Sequence, residues 1–331
     1  MKFLRFRLAP DNVKFGFMKF RRFSYPFSAL ASILSVLLFL TWGLNYGIDF
    51  SGGTLLELRT KDGVANLADL RGSMDKLGLG EVEVQAFGDN RDVSVRVRLQ
   101  PGGDAAQQAA MNKVLETVKD KYEVRRSEVV GPRVSGELVQ SGTIGVVLSI
   151  LAVLAYLWFR YEWQLAVAAV IATMHDLLLT IGFFALTRIE FNITSIAAIL
   201  TIIGVSLNET VIVLDRIRET LRKYRKTAIA DIIDMSVNAV IARTIMTSTT
   251  TLMALLALVL FGGHVIRSFS LAMMFGIVAG VYSSIFICSP ILIYLGMRSD
   301  SLSSPGASGG KEVSTLPPEP SAAKTGARTG A

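Results

Sequence analysis

Six long apolar runs dominate the hydrophobic pattern of this chain. A helix needs about 20 predominantly apolar residues to cross the hydrocarbon core of a bilayer. The pattern therefore predicts a polytopic α-helical membrane protein with spans at residues 27–44, 138–159, 165–186, 193–214, 240–260 and 268–295.

Between the first two runs, the period of the hydrophobic pattern changes. Residues 93–99 alternate between apolar and polar, as in a half-buried strand, whereas residues 67–77 carry apolar side chains at helical spacing. Across residues 54–130 the order of such patterns is βαββαβ, with Asp104 as the expected N-cap of the second helix. This order predicts one α+β, ferredoxin-like domain within residues 45–137, with its helices on one face of the sheet.

Composition agrees with a membrane protein and narrows its chemistry. Of the 331 residues, 51% are hydrophobic, and the mean hydropathy is +0.47. Cys288 is the only cysteine, which excludes an intrachain disulfide and a zinc-thiolate cluster. The two histidines, His175 and His264, are too few and too far apart for a typical histidine-based metal site. No catalytic triad, phosphate loop with lysine or paired-carboxylate site is recognisable in the sequence. We expect no cofactor, no metal and no nucleic-acid partner.

The placement of the positive charges predicts the topology. They concentrate in residues 1–26, at Arg160, in residues 216–226 and at Arg298. By the positive-inside rule these segments are cytoplasmic, so both termini lie inside and the small domain lies outside, in the periplasm of a bacterium. The first run is expected to be a retained span, because no small-residue cleavage site follows it. The basic N-terminal segment is either a topology signal alone or also a site for anionic lipid. The tail, residues 299–331, is rich in Ser, Gly, Pro and Ala and is expected to be disordered.

Four ionisable side chains fall within the predicted spans: His175, Asp176, Glu209 and Arg243. An acidic group at mid-membrane costs about 2.5 to 3.5 kcal/mol on insertion scales. Glu209 and Arg243 lie near the cytoplasmic ends of neighbouring antiparallel spans, so the two could meet at similar depth and form a tunable proton site. Two alternatives stay open: Arg243 as an anchor that reaches the membrane surface, and Glu209 as a static packing residue.

The other polar residues of the spans have weaker signals. His175 and Asp176 are adjacent and point about 100° apart on a helix, so only one is expected to face the bundle interior. Asp176 is the candidate for a hydrogen-bonding group there. Asn208 forms a polar pair with Glu209. The hydroxyl residues 247–251 form either interhelical hydrogen bonds or part of a polar conduit.

Glycine clusters flank the predicted domain. The cluster after the first span contains no lysine, so it does not match a phosphate-binding loop. Glycine permits the tight turns that a junction between a helix and a sheet requires. The predicted joint residues are Gly47, Asp49, Gly52, Gly53, Gly131, Pro132 and Gly136.

Four segments resemble signatures of the SecD/SecF family of protein-export membrane proteins, in the RND superfamily, and specifically of its SecF branch. They are residues 47–53 (GIDFSGG), residues 130–138 (VGPRVSGEL), residues 158–163 (WFRYEW), and residues 204–219 together with residues 242–248. The resemblance covers residues 1 to about 298. The family usually has Asn-Asp where this chain has Asn208-Glu209, which keeps the titratable group but extends it by one methylene.

The resemblance implies a non-enzymatic subunit that pairs with SecD beside the SecYEG channel. Such a subunit uses the proton motive force to help a translocating polypeptide cross the inner membrane. The family's acidic residue falls on Glu209, which would take up and release the proton, and its arginine on Arg243, which would tune it. Asp176 would support the polar interior, and SecD supplies a further intramembrane aspartate. The external domain would move through its glycine joints.

Two other functions remain as alternatives. One is a small-solute or lipid exporter of RND type, which requires a substrate cavity and an apolar portal. The other is a structural clamp that holds the translocation machinery together without proton coupling. Replacement of Glu209 by Gln separates a proton-coupled subunit from a clamp, because only the former needs a titratable group.

Overall fold

The computed structural model describes residues 15–86 and 89–297. Most of the basic N-terminal segment and all of the tail, residues 299–331, lie outside the described residues. The predictions of a basic lipid-binding segment and of a disordered tail therefore stay predictions.

The described part of the chain contains six helical segments long and apolar enough to cross a membrane, as the sequence predicts. A 3₁₀ turn at Phe17–Phe20 leads into the first, and a π-helical turn at Ser284–Cys288 divides the last. The helices that form these segments are α1 Arg21–Trp42, α5 Pro132–Arg160, α6 Trp163–Thr187, α7 Ile193–Lys223, α8 Ile229–Phe261, α9 His264–Ser283 and α10 Ser289–Tyr294.

The helices extend beyond the apolar runs because polar residues continue them outside the hydrocarbon region. Helix α5 begins at Pro132, a first-turn position that proline tolerates, so Gly136 also lies inside this helix. Helix α7 runs on to Lys223, so much of the predicted basic loop is helical and the connection to α8 is confined to residues 224–228. Pro26 lies inside α1 rather than at its start.

The external domain has the βαββαβ order that the sequence predicts. Its four strands are arranged β2-β3-β1-β4, and every neighbouring pair is antiparallel, which is the ferredoxin-like order. The elements of this domain are α2 Ile48–Ser51, β1 Gly53–Thr60, α3 Leu67–Asp75, β2 Val82–Ala86, β3 Asp92–Val97, α4 Gly103–Val118 and β4 Tyr122–Val130. The prediction of Asp104 as N-cap is wrong by two positions: α4 begins at Gly103, and Gly102 precedes it with a φ of 120°, which favours glycine.

The two faces of this sheet differ in chemistry. One face packs its apolar side chains, including Leu56, Leu58 and Val95, against α3 and α4 to form the domain core. The other face carries charged groups, among them Arg96, which forms an ion pair with Glu190 in the α6–α7 connection at 3.1 Å. The polar face of the sheet therefore rests on the end of the helical bundle.

The bundle is buried unevenly. More than half of the apolar stretches of α6 and of the α9–α10 segment are buried, whereas almost all of those of α5 and α8 are open at the surface of the chain. Helix α6 contacts α1, α7 and α9, so it forms the centre of the bundle. One side of the molecule, bounded by α5 and α8, is left uncovered.

Candidate functional site

Glu209 lies inside the bundle, on the face of α7 that meets α8. Its side chain is buried, with 6% of the residue exposed. Oε1 accepts a weak hydrogen bond of 3.4 Å from the Thr247 hydroxyl, and Thr244 lies beside the same carboxyl group. Oε2 is buried and has no hydrogen-bond partner among the described residues. This carboxyl group is therefore only partly satisfied by the chain itself.

Arg243 does not lie against Glu209, so the predicted meeting of these two residues is wrong. Arg243 is exposed, and within residues 15–86 and 89–297 no ion pair joins it to Glu209. Thr244 and Thr247, rather than Arg243, provide the α8 contacts of the Glu209 carboxyl group. Arg243 lies one residue before Thr244, about 100° from it around α8, and its side chain is exposed at the edge of the face that meets α7.

Asn208 and Glu209 separate in the same way. Asn208 is exposed on the open side of α7, although Glu209 is buried. It continues a stripe of exposed small or polar residues that we call the α7 stripe: Ala197, Thr201, Gly204 and Asn208. A Cβ atom on Gly204 would meet nothing within 4 Å. The α7 stripe thus lies in the uncovered side of the bundle, where a further helix has room to approach.

Asp176 forms a second polar centre, deeper in the bundle, with 1% of the residue exposed. Its Oδ2 accepts hydrogen bonds from the hydroxyls of Ser206 on α7 and Ser283 on α9, the latter at 2.7 Å. Its Oδ1 lies 3.1 Å from Nδ1 of His175. Asp176 therefore joins three helices through a single carboxyl group.

The expectation that only one of His175 and Asp176 faces the interior is wrong. Both are buried, and their side chains contact each other. Helix α6 is central and packs against α1, α7 and α9, so two faces about 100° apart are both covered. Periodicity within one segment could not reveal this, because it does not report how many neighbours a helix has.

Sequence reasoning also missed the small residues that bring α9 close to α7. A Cβ atom on Gly276 would come within 2.5 Å of Ile202, and one on Gly280 within 3.1 Å of Ser206. With Ser283, these residues recur at spacings of four and three on α9. Small residues at such spacing are the signal for close helix packing in membranes, and they place the Ser206 and Ser283 hydroxyls around Asp176.

The first glycine cluster forms a junction that is fastened to the bundle. The Gly47 N–H donates to the Phe191 carbonyl at 2.8 Å. Asp49 Oδ2 accepts a hydrogen bond of 3.0 Å from the N–H of Ile193, the first residue of α7. Beyond it, Gly53 has a φ of 121°, and a Cβ atom there would lie 2.4 Å from the Val97 carbonyl oxygen. Only glycine fits so close to the Val97 carbonyl oxygen, which explains why Gly53 is a glycine.

The second glycine cluster is simpler. Three joint residues were predicted between β4 and α5. Of these, Gly131 is the N-cap of α5, whereas the other two lie within the helix. A Cβ atom on Gly131 would lie 2.0 Å from an Asp104 oxygen, so the strand meets its helix beside the first turn of α4. Pro132 and Gly136 belong to the first two turns of α5.

At the opposite end of the bundle, residues 158–163 fix α5 and α6 to α7. The Tyr161 hydroxyl donates to Asp215 at 3.0 Å, and Arg160 pairs with the same carboxylate at 3.1 Å. Burial and this hydrogen bond raise the pKa of Tyr161 above its ordinary value. Arg218 pairs with Glu162 at 2.7 Å in a half-buried contact.

Comparison with known proteins agrees with these features. Residues 110–298 match the family described as "Protein export membrane protein SecD/SecF, C-terminal", and residues 38–64 match the "SecD/SecF GG Motif". The protein translocase subunit SecF of Rickettsia conorii is 44% identical over 300 residues, covering 88% of this chain and 95% of the relative. That of Rickettsia prowazekii is 41% identical over 306 residues, covering 90% and 96%.

Two solved structures are also similar. The crystal structure of SecDF, a translocon-associated membrane protein from Thermus thermophilus, matches with a TM-score of 0.76 and 31% identity over 87% of this chain. SecDF in its super-membrane-facing form matches with a TM-score of 0.63 and 34% identity over 86% of this chain. The chain spans 39% of the length of each SecDF protein. By its sequence, its six spans and its glycine-cluster junction, this chain belongs to the SecD/SecF family of protein-export membrane proteins.

Proposed function

We propose that this chain is a subunit of the Sec protein-export machinery that works with SecD beside the SecYEG channel. In this proposal it uses the proton motive force to assist a polypeptide across the bacterial inner membrane. The observation that carries the proposal is the position of Glu209: a buried, partly satisfied carboxyl group on the helix whose other end is fastened to the external domain.

Glu209 is the proton-carrying group in this mechanism. Its buried Oε2 has no partner among the described residues, so an ionised carboxylate is stabilised there only by threonine hydroxyls on one side. Binding of a proton removes the buried charge and its desolvation cost, which changes how α7 and α8 pack. Each charge that crosses the membrane supplies about 2.3 kcal/mol per 100 mV, which is enough to bias a two-state element.

Helix α7 transmits that change to the external domain. From Ile193 to Glu209 the helix is continuous and measures about 24 Å. Its first N–H is held by Asp49, and the preceding connection is held by Gly47 and Arg96. A shift of α7 therefore acts directly on the root of the domain, which in our proposal contacts the emerging polypeptide.

SecD is proposed to cover the open side of the bundle. The α7 stripe offers small and polar residues to a neighbouring helix, which is the surface that close packing in membranes prefers. Arg243 is exposed at the border of that side, one helical turn from Thr247. A guanidinium within a span needs an anionic partner or access to the membrane surface. We infer that Arg243 pairs with the intramembrane aspartate of SecD and acts on Glu209 only through the assembled complex, with Asn208 at the same interface.

The proposed orientation follows from the placement of basic residues. Arg216, Arg218, Arg222 and Lys223 lie at the end of α7 that is remote from the external domain. The positive-inside rule assigns that end to the cytoplasm and the domain to the periplasm. Both termini are then cytoplasmic, with the basic N-terminal segment beside anionic lipid of the inner leaflet.

The test is export of a secreted precursor in living cells that carry Glu209→Gln or Glu209→Asp. We expect Gln to stall export and Asp to retain it, because Asp keeps a titratable group. Glu219→Gln is the matched control: it removes a carboxylate of the same helix that is 65% exposed and forms an ion pair with Arg216. Each variant must first be found in the membrane together with SecD.

The same experiment addresses the two alternatives. A structural clamp would export normally with Gln at position 209, provided that the complex assembles. An exporter of small solutes or lipids would show altered solute or lipid efflux in these variants while maturation of the precursor stays unchanged. Either result would overturn the proposed proton-coupled role in polypeptide export.

A further inference from the structure

His175 has an unusual environment for a histidine in a membrane bundle. The residue is 7% exposed, and its Nδ1 lies 3.1 Å from Asp176 Oδ1. Its other ring nitrogen, Nε2, is buried and has no hydrogen-bond partner among the described residues. Nδ1 of the imidazole therefore contacts a carboxylate, whereas Nε2 has no hydrogen-bond partner among the described residues.

The contacts of Asp176 favour one arrangement of protons. Both hydroxyl donors, from Ser206 and Ser283, are directed at Oδ2, as expected for an ionised carboxylate that acts only as an acceptor. The remaining oxygen, Oδ1, then accepts from a protonated Nδ1 of His175. In that tautomer Nε2 carries a lone pair and no proton, so it is the atom at which a further proton can bind.

Few other titratable groups face this couple. Helix α7 contributes Ser206 and helix α9 contributes Ser283, neither of which titrates in the physiological range. Tyr282 of α9 lies with its ring 6.4 Å from the imidazole, and the thiol of Cys288 in the π-helical turn lies near Asp176. No Lys, Arg or acidic residue within the described part of the chain forms an ion pair with His175 or Asp176 apart from their own contact.

Two further features mark the place as more than core packing. The π-helical turn Ser284–Cys288 follows Ser283 directly, and such turns within α-helices frequently occur at functional sites. Polar groups also continue from Tyr282 toward the N-terminal end of α1. The Tyr282 hydroxyl lies 2.9 Å from that of Ser28 and 3.3 Å from the Ser24 carbonyl oxygen, all within the interior of the bundle.

We propose that His175 and Asp176 form a second proton-binding site of the bundle, in which Nε2 of His175 takes up the proton and Asp176 stabilises the resulting imidazolium. The ligand is a proton delivered by water. One N–H bond forms at Nε2, no bond within the protein breaks, and the charge of the couple changes from −1 to zero. This inference rests on the proposed function and extends it, since it adds His175 to the groups that carry a proton.

The site is placed so that its charge affects α7. The Ser206 hydroxyl donates to Asp176, and Glu209 follows Ser206 by three residues on the same helix. Proton uptake turns the contact between His175 and Asp176 into an ion pair, so the imidazolium competes with the Ser206 hydroxyl for the negative charge of Asp176. Proton uptake at His175 therefore loosens a contact between α6 and α7 one turn from Glu209.

The histidine count makes a direct test possible. The chain has two histidines, so a full-length His264→Gln variant labelled with ¹⁵N-histidine reports on His175 alone. The sample is placed in lipid nanodiscs with unlabelled SecD, and spectra are recorded from about pH 8 to about pH 5. We expect Nδ1 to remain protonated and the Nε2 resonance to shift on acidification as a proton binds. In a second sample that also carries Asp176→Asn, the response of Nε2 to the same acidification should be smaller, because the carboxylate that stabilises the imidazolium is absent.

Two results would overturn the inference: an Nε2 resonance that stays constant across this range, or a titration that Asp176→Asn leaves unchanged. Neither result depends on the export assay, so failure of this inference can be distinguished from failure of the proposed function. If Nε2 does not titrate but Glu209→Gln stalls export, the proposed function stands and the second site is rejected. If Nε2 titrates while Glu209→Gln exports normally, the second site stands and the proposed role of Glu209 is rejected.

Discussion

The carboxylate of Asp49, in the glycine-rich junction, accepts a hydrogen bond of 3.0 Å from the N–H of Ile193, the first residue of α7. A carboxylate at this position also interacts favourably with the positive end of the helix dipole. The contact connects residues that are 144 positions apart in the chain. It explains why an acidic residue follows the first glycine of the cluster, and it joins the root of the external domain to the helix that carries Glu209.

Asp49→Ala is therefore expected to loosen the junction without changing any group inside the bundle. Loss of a helix-capping carboxylate costs about 1 kcal/mol, which is about a fivefold change in a local opening equilibrium. Hydrogen–deuterium exchange should become faster at residues 193–196 in the complex with SecD, and export should fall.

Asn66→Ala provides the matched control for Asp49→Ala. Asn66 caps α3 through the N–H of Asp69, within the external domain and away from the bundle. Its loss should have a similar energetic cost and leave exchange at residues 193–196 unchanged. Equal exchange at these residues in Asp49→Ala and the parent would show that Asp49 does not fasten α7.

The ion pair between Arg96 and Glu190 should contribute measurably to the same junction. Its side chains are 17% and 14% exposed, so solvent screens the pair less than it screens a surface pair. A double-mutant cycle with Arg96→Gln and Glu190→Gln is expected to give a coupling free energy of about 1 kcal/mol in the unfolding of the complete protein.

A second ion pair, close to the first in the external domain, serves as the reference for that double-mutant cycle. Arg98 and Glu81 lie 2.7 Å apart, but their side chains are 72% and 71% exposed. Exposed pairs contribute little, so the corresponding cycle should give about 0 to 0.5 kcal/mol. Equal coupling in the two cycles would contradict a junction role for Arg96 and Glu190.

Gly204→Leu tests the partner surface on the α7 stripe. A side chain at this position meets nothing within 4 Å in the chain alone, so folding and membrane insertion should be unchanged. Co-purification with SecD should fall, because Leu prevents close approach of a neighbouring helix. Gly72→Leu, at an open position on α3 in the external domain, is the control and should retain SecD. Normal recovery of SecD with Gly204→Leu would indicate that the stripe faces lipid.

Acid should weaken the external domain through Asp92. Two hydrogen bonds of 2.7 Å from Arg59 hold the pKa of this carboxyl group below its ordinary value. A lowered folded-state pKa contributes stability that is present above the unfolded-state value, about 3.9, and is lost as pH falls through the folded-state value. The thermal stability of the parent should therefore exceed that of Asp92→Asn at neutral pH.

The difference between the parent and Asp92→Asn should begin to narrow below about pH 4, where the carboxyl group of the unfolded chain becomes protonated. It should disappear once the folded-state carboxyl group is protonated as well. The experiment unfolds the full-length protein by heat at each pH and monitors unfolding of the external domain through hydrogen exchange of its amides. It compares the stability of the parent with that of Asp92→Asn at each pH. A constant difference from pH 7 to pH 3 would show that Asp92 contributes by packing rather than by its charge.

Sequence patterns were reliable wherever a feature depends on local spacing. Apolar length predicted six spans, alternation and helical spacing predicted the βαββαβ order of the domain, and glycine content marked the junction at Gly53, where the structure requires a positive φ. Boundaries were less reliable. Helices such as α7 continue past the membrane through polar residues, and hydropathy alone does not detect their ends.

The sequence by itself determined which ionisable side chains fall within the spans: Glu209, Arg243, Asp176 and His175. Only the tertiary structure decided their neighbours. Threonines of α8 contact Glu209 while Arg243 stays exposed, the central position of α6 buries both His175 and Asp176, and close packing of α9 brings Ser283 to Asp176. Charge and periodicity are properties of one segment, whereas contacts between segments depend on how helices far apart in the chain pack together.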